Sequence, residues 1–231
     1  MEIITSSINC MNCPFKSKLF LDLTEVEMQN IDCNRKEYSY KKGDVICGEG
    51  DDLGNLIYLT KGLGKLHKRE SNKTDQIINI VVPYDFIGSL SIFSETKSKY
   101  SVTAIEDSIA CAVPVDIIKK IIVNNGRFAL KIIENINKVT DDILETRFKL
   151  NKKHLRGRIA YIILFFAQEV YKNNVFIMPI SRKEIAELIN MTTENVIRIL
   201  SEFRHDGIIE IDGKTIKVID PVLLQKICEA G

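Results

Sequence analysis

"ISRKEIAELINMTTENVIRILSEFRHDG", Ile180 to Gly207, is the stretch that decides how this chain folds. Ser181-x-x-Glu184 has the spacing of a capping box. There the serine oxygen takes an amide three residues on, and the glutamate reaches back to the serine amide. Ile185, Ala186, Leu188 and Ile189 give the helix that follows its apolar side. Asn190 tolerates left-handed backbone and so ends that helix. Thr192 caps a second helix two residues later. On this second helix Val196, Ile199, Leu200 and Phe203 share one face, and Glu194, Ile197, Arg198 and Ser201 share another. Two short helices joined by three residues pack tightly where they cross, and Ala186 is small enough to allow it. The pattern predicts a helix-turn-helix. Asp212-Gly213, between two alternating runs in "GIIEIDGKTIKVID", predicts a β-hairpin behind it, in the place of a wing.

The outward face of the second helix is then the one that enters a major groove. A guanidinium at Arg198 can donate to O6 and N7 of guanine, Glu194 can accept from N4 of cytosine, and Ile197 can pack on a thymine methyl. Thr193 and Ser201 border this face. Arg182 and Lys214 are expected to meet phosphates. The plain alternative is a solvent-exposed i,i+4 ion pair between Glu194 and Arg198.

Upstream, Arg158 to Val170 reads as a buried helix. Its apolar run "IAYIILFFA", Ile159 to Ala167, is too short to span a bilayer. "NKKH", Asn151 to His154, reads as a hinge. From Asn125 to Asn151, apolar residues recur at Ala129, Ile132, Ile136, Val139, Ile143 and Leu150, with Thr146 at the missed position. That 3-4 spacing predicts a two-stranded coiled-coil seam and hence a homodimer. Ile133 and Leu144 widen the stripe, so that one flank can cover the chain's own β domain. Between about Tyr38 and Val115, short Ile-, Val- and Tyr-rich runs alternate with Gly, Asp and Pro, as in a barrel or sandwich of short strands.

A hydrophobic fraction of 45% and a charged fraction of 27% exclude a disordered chain. Net charge is +1 over 231 residues, yet Arg147 to Lys217 holds thirteen Lys/Arg against eight Asp/Glu. That local excess points weakly to an anionic partner. "MEIITSSINC" is not a signal peptide, so a cytoplasmic protein with free thiols or metal-bound cysteines is expected. No nucleophile–base pair, HExxH or phosphate-binding Gly loop suggests an enzyme. The competing class is a β-domain regulatory module that acts on protein partners.

The order of β-rich domain, long helix and winged helix-turn-helix resembles the Crp/Fnr family of bacterial transcription regulators. The matching motifs are "DFIGSLSIF" (Asp85 to Phe93), "GRIA" (Gly157 to Ala160), and the run from Ser181 through "GKTI" (Gly213 to Ile216). The resemblance implies an α+β chain in four parts. These are an N-terminal segment with a CxxC pair (1–22), a jelly-roll-like β-roll sensor (23–124), a dimerisation helix and hinge (125–152), and a winged helix-turn-helix (153–231). It also implies a homodimer that binds palindromic double-stranded DNA and helps recruit RNA polymerase, with Glu194 and Arg198 in the family's base-reading positions. Cyclic-AMP-type readers carry an Arg just before that Glu. Here the position is Thr193, which cannot fork onto a guanine, so a TTGA-like half-site is expected.

The family's cyclic-AMP binders hold the ribose with a Glu and the phosphate with an Arg. The corresponding positions here are Ser89 and Ser98, and the adenine-contacting pair corresponds to Ile143-Leu144. Cyclic AMP is therefore not the expected effector. Gly88, Ser89, Leu90, Ser98, Lys99, Tyr100, Ile143 and Leu144 are expected either to wall a pocket for another small ligand or to be packed turn residues. The family's oxygen-sensing branch binds a four-iron cluster through four Cys. Cys10, Cys13 and Cys111 match three of those positions, but the remaining one is Leu19. An iron-sulfur, Fnr-like sensor is therefore the alternative and not the expected reading, since Cys33 or Cys47 could replace the missing ligand only through a different loop geometry. A redox or zinc role for the CxxC pair and a purely structural one both stay open, and so does the identity of the small-molecule or redox effector.

Overall fold

The computed structural model describes residues 1–4, 9–14, 18–69 and 75–230. The chain forms two compact units, Met1–Thr74 with Ile78–Ile143 and Asp75–Ile77 with Leu144–Gly231.

Nine short strands build the β structure of the first part of the chain: β1 Glu2–Ile4, β2 Lys36–Tyr40, β3 Val45–Cys47, β4 Asn55–Lys61, β5 Gly64–Arg69, β6 Asp75–Val81, β7 Phe86–Ile87, β8 Ser101–Ala104 and β9 Ser108–Pro114; the first three residues of β6, Asp75–Ile77, group with the second unit. They form two sheets, ordered β1-β2-β9-β4-β7 and β3-β8-β5-β6. In the first, β9 lies antiparallel between β2 and β4. Alternating burial along β9 sends Ala110 and Ala112 inward. Phe20 stacks on Phe128 at 6.4 Å, and Tyr58 lies 4.9 Å from Phe86, in a core where Leu59 and Ile118 have no exposed surface. This is the expected β-roll.

Helices α1 (Glu25–Asn34) and α2 (Val115–Asn124) cover the sheets, and α3 (Gly126–Lys152) follows. Asn125 separates α2 from α3. Its backbone is extended, and its side-chain oxygen takes the Phe128 amide at 3.1 Å.

Burial divides the residues of the expected seam of α3. Ile132 is 6% exposed, and Ile136 packs on the β-roll core. Ala129 is half-buried, Val139 and Ile143 face a cavity of the first unit, and Leu150 is buried in the second unit. Within one protomer that stripe is partly spent on the chain's own packing, with Ala129, Ile136, Val139 and Ile143 half-buried. A different stripe is open to solvent, with Leu130 at 61%, Ile133 at 53%, Leu144 at 50% and Phe148 at 64% exposure. Asn137 and Thr140 continue it at helical spacing. The physical reason is that α3 carries two adjacent apolar stripes, and periodicity alone does not say which one the parent domain consumes.

In the second unit α4 (Leu155–Leu164) runs into a π-helical turn at Phe165–Val170, where the Tyr171 amide reaches back to Phe166 O at 2.9 Å. Then come β10 (Val175–Ile177), α5 (Arg182–Ile189), α6 (Thr193–His205), β11 (Ile209–Asp212), β12 (Thr215–Val218) and α7 (Pro221–Ala230). The three strands form one sheet in the order β10-β12-β11. None of the helices among the described residues is long and apolar enough to cross a membrane.

Candidate nucleic-acid interface

The local chemistry expected from Ile180 to Gly207 recurs in the fold. Ser181 and Glu184 exchange both capping-box hydrogen bonds, at 2.8 and 3.2 Å. Asn190 ends α5 at φ 53°, and Thr192 accepts the Asn195 amide at 3.3 Å. Val196, Ile199, Leu200 and Phe203 are buried, so Glu194, Ile197, Arg198 and Ser201 face solvent.

Glu194 and Arg198 are not paired with each other. The Glu194 carboxylate is held below its usual range by its own backbone amide and the Thr192 hydroxyl. Arg198 donates instead to Glu202, one turn further on, and weakly to Asn195 at 3.5 Å. Glu202 in turn accepts from Arg156 at 2.8 Å. Arg156 also holds Asp206 at 2.9 Å and lies 4.9 Å over the Phe203 ring. Glu202 and Arg156 were missed in the sequence, although the i,i+4 spacing of Arg198 and Glu202 was the signal for the pair. Thr193 is half-buried and Lys214 is exposed in the turn between β11 and β12. Arg182 is half-buried, and burial lowers its guanidinium pKa.

The first unit contains a mostly apolar cavity. Gly88, Ser89, Leu90, Ser98, Tyr100 and Ile143 line it, together with Asp85. Gly88 has φ +85°, a backbone conformation that favours glycine. Two expected wall residues lie elsewhere. Lys99 pairs with Glu95 at 2.6 Å, and Leu144 is exposed, because each is one position out of phase with a wall residue. The serine hydroxyls point to backbone: Ser89 donates to Phe86 O at 3.2 Å and Ser98 to Tyr100 O at 2.7 Å. Neither Lys nor Arg is among the lining residues. Asp85 accepts the Val82 amide at 2.9 Å, and its carboxyl is raised to about 6 by burial and by Asp142.

Cys10, Cys13 and Cys111 line a second pocket of the same unit, beside Arg35. Burial and a hydrogen bond to Asp32 push the Cys10 thiol up to about 12, and burial with Glu37 pushes Cys111 up to about 11. Arg35 donates to the Cys111 sulfur at 3.9 Å. The fourth position is Leu19, packed in the core. A four-iron cluster needs four thiolates. Three cysteines and a leucine do not supply them, and the described residues contain no group of three or more His, Cys, Asp or Glu arranged to hold a metal ion.

Comparison with known proteins agrees with this architecture. Residues 37–125 match the cyclic nucleotide-binding domain family, and residues 157–227 match the Crp-like helix-turn-helix domain family. The transcriptional activator protein FnrA of Stutzerimonas stutzeri is 23% identical, over 93% of this chain and 90% of that protein. The electron transport regulator A of Shewanella oneidensis is 24% identical, over 93% of this chain and 88% of its own. Among solved structures, FixK2 from Bradyrhizobium japonicum superimposes with a TM-score of 0.74 at 22% identity, covering 84% of this chain and 96% of its own. The two domain matches in this order, with full-length likeness to transcriptional activators, place the chain in the Crp/Fnr family of DNA-binding transcription regulators, and it is not an enzyme.

Proposed function

We propose that the protein is a cytoplasmic, homodimeric regulator that reads a palindromic, TTGA-like site through α6 and answers to a signal other than cyclic AMP. The observation that carries this reading is the exposed face of α6, where Glu194, Ile197 and Arg198 are open to solvent. Arg198 takes one guanine of each half-site, and Glu194 takes the paired cytosine or its neighbour. Arg182 and Lys214 flank this face as phosphate contacts, and Thr193 and Ser201 border it. Leu130, Ile133, Leu144 and Phe148 form the dimer seam, and RNA polymerase is the partner once the site is occupied. The division at 1–22, 23–124, 125–152 and 153–231 assigns sensing to the β-roll and DNA binding to the last part.

A cyclic phosphate placed in a cavity whose lining includes no Lys or Arg loses its water without a cationic partner. That lining supports an effector other than a cyclic nucleotide. A thiol-responsive signal is the second reading, favoured by the shared pocket of Cys10, Cys13 and Cys111. Selection of random duplexes with the wild type and Arg198→Ala tests the main reading. The wild type is expected to enrich a palindrome, and Arg198→Ala is expected to lose roughly 1–3 kcal/mol per half-site with relaxed preference at one guanine. Equal enrichment of the same palindrome by both proteins would make Arg198 a surface charge.

A further inference from the structure

The C-terminal end of α5 is gripped by two arginines outside the DNA-facing surface. A helix leaves its last carbonyls without intrahelical partners. Here three consecutive ones find guanidinium donors. Arg147 Nη1 donates to Leu188 O at 3.2 Å. Arg158 Nη1 donates to Ile189 O at 3.3 Å and to Asn190 O at 3.1 Å. The same arginines hold other backbone. Arg158 Nε donates to Lys153 O in the hinge at 3.0 Å, and Arg147 Nη2 donates to Ile77 O at 2.6 Å. All of these residues belong to the second unit.

We propose that Arg147 and Arg158 are positioning residues for DNA recognition, which hold the end of α5 and through it fix the direction of α6. The proposal rests on the reading of α6 as the DNA-facing helix. α6 begins at Thr193, three residues beyond Asn190, so a shift of the α5 end is passed to Glu194 and Arg198 with little slack. Arg147 lies in the last turns of α3, and Arg158 links the hinge carbonyl of Lys153 to the turn. The chemistry calls for Arg specifically. A guanidinium is a rigid planar fork of five donors, able to bridge two backbone segments, whereas a lysine ammonium is a point charge. Cations also suit the negative end of the α5 dipole, so Lys keeps the charge term and loses the geometry.

The test uses full-length Arg158→Lys and Arg147→Lys, titrated against the selected palindrome over a range of salt, with Arg198→Ala as reference. Both Lys variants are expected to bind more weakly, on the order of tenfold, within the range spanned by couplings between sites. The slope of log affinity against log salt is expected to stay unchanged. Amide exchange at Met191, which donates to Ala186 O across the turn, is expected to quicken. If the Lys variants bind like the wild type while Arg198→Ala binds weakly, this proposal falls and the reading of α6 stands. Arg158→Ala and Arg147→Ala that flatten the salt slope by about one per contact, with Lys restoring it, would make the two arginines phosphate contacts and overturn the proposal. If Arg198→Ala has no effect, the reading of α6 fails and takes the proposal with it. If circular dichroism shows Arg158→Lys unfolded, Arg147→Lys decides by the same criteria.

Discussion

Helices α3 and α6 are both amphipathic, yet they present different surfaces to water. α6 has one apolar face, Val196, Ile199, Leu200 and Phe203, each no more than 3% exposed. Its other face is polar apart from Ile197. α3 covers its own β-roll with Ile132 and Ile136 and still leaves Leu130, Ile133, Leu144 and Phe148 in solvent. A helix with a second, unburied apolar stripe has a second apolar partner to meet. A helix whose free face is an acid, a base and one aliphatic residue is suited to a polar, patterned partner. In the proposed reading the two helices divide the work, one joining protomers and the other reading DNA.

The largest effect that can break this contrast is expected at the open stripe of α3. Ile133→Asp with Leu144→Asp places four charges in a dimer seam, each costing several kcal/mol. Sedimentation is expected to show a folded monomer that has lost tight DNA binding. A folded variant that stays dimeric would move the interface elsewhere. Next in size is the buried stripe. Ile132→Ala is expected to cost the fold about 2–5 kcal/mol in denaturant while the protein stays dimeric. Ile133→Ala, one position on, is expected to leave the fold of the protomer intact and to raise the dimer dissociation constant instead, read by sedimentation.

A smaller effect belongs to Asp85, which faces the cavity beneath α3. Its folded pKa, about 6, lies above the ordinary 3.8, because burial and Asp142 oppose the charge while Lys138 only partly offsets them. The folded state thus binds the proton more tightly than the unfolded one, and stability falls as pH rises from about 4 through about 6. Asp85→Asn can still accept the Val82 amide and removes that fall. Urea melts are expected to show the two proteins alike below pH 4 and the Asn variant more stable above pH 6. The smallest effect is on α6. Glu202→Gln frees Arg198 from an i,i+4 pair worth roughly 0.3–0.5 kcal/mol, so affinity for the palindrome is expected to rise about twofold by anisotropy.

The contrast between the helices is also a contrast in what the sequence could reveal. The turn around α5 and α6 was legible because its signals are local: Ser181 with Glu184, Asn190 and Thr192 each act within three or four residues. The same kind of signal went unread at α1, where Thr24 and Glu27 form an identical capping box. It also went unread at α7, where Asp220 takes the Leu223 amide at 2.8 Å just before Pro221. β10 has three residues and needed its partner β12 to be recognisable. On α3 the helix was legible, but the stripe that meets the β-roll is selected by contacts distant in sequence. The same limit applies to the cavity. The motif around Gly88 indicated its wall, while Lys99 and Leu144 sit one residue out of phase with it.

The most direct measurement is the affinity of the wild-type protein for duplexes carrying two identical selected half-sites at different separations. With α3 joining the protomers and α6 entering the groove, half-site centres about 10 bp apart are expected to bind tightly. Moving them to about 15 bp places the second half-site on the opposite side of the duplex, and affinity is expected to drop to that of a single half-site. Equal affinity at both separations would contradict a fixed dimer that reads DNA through α6.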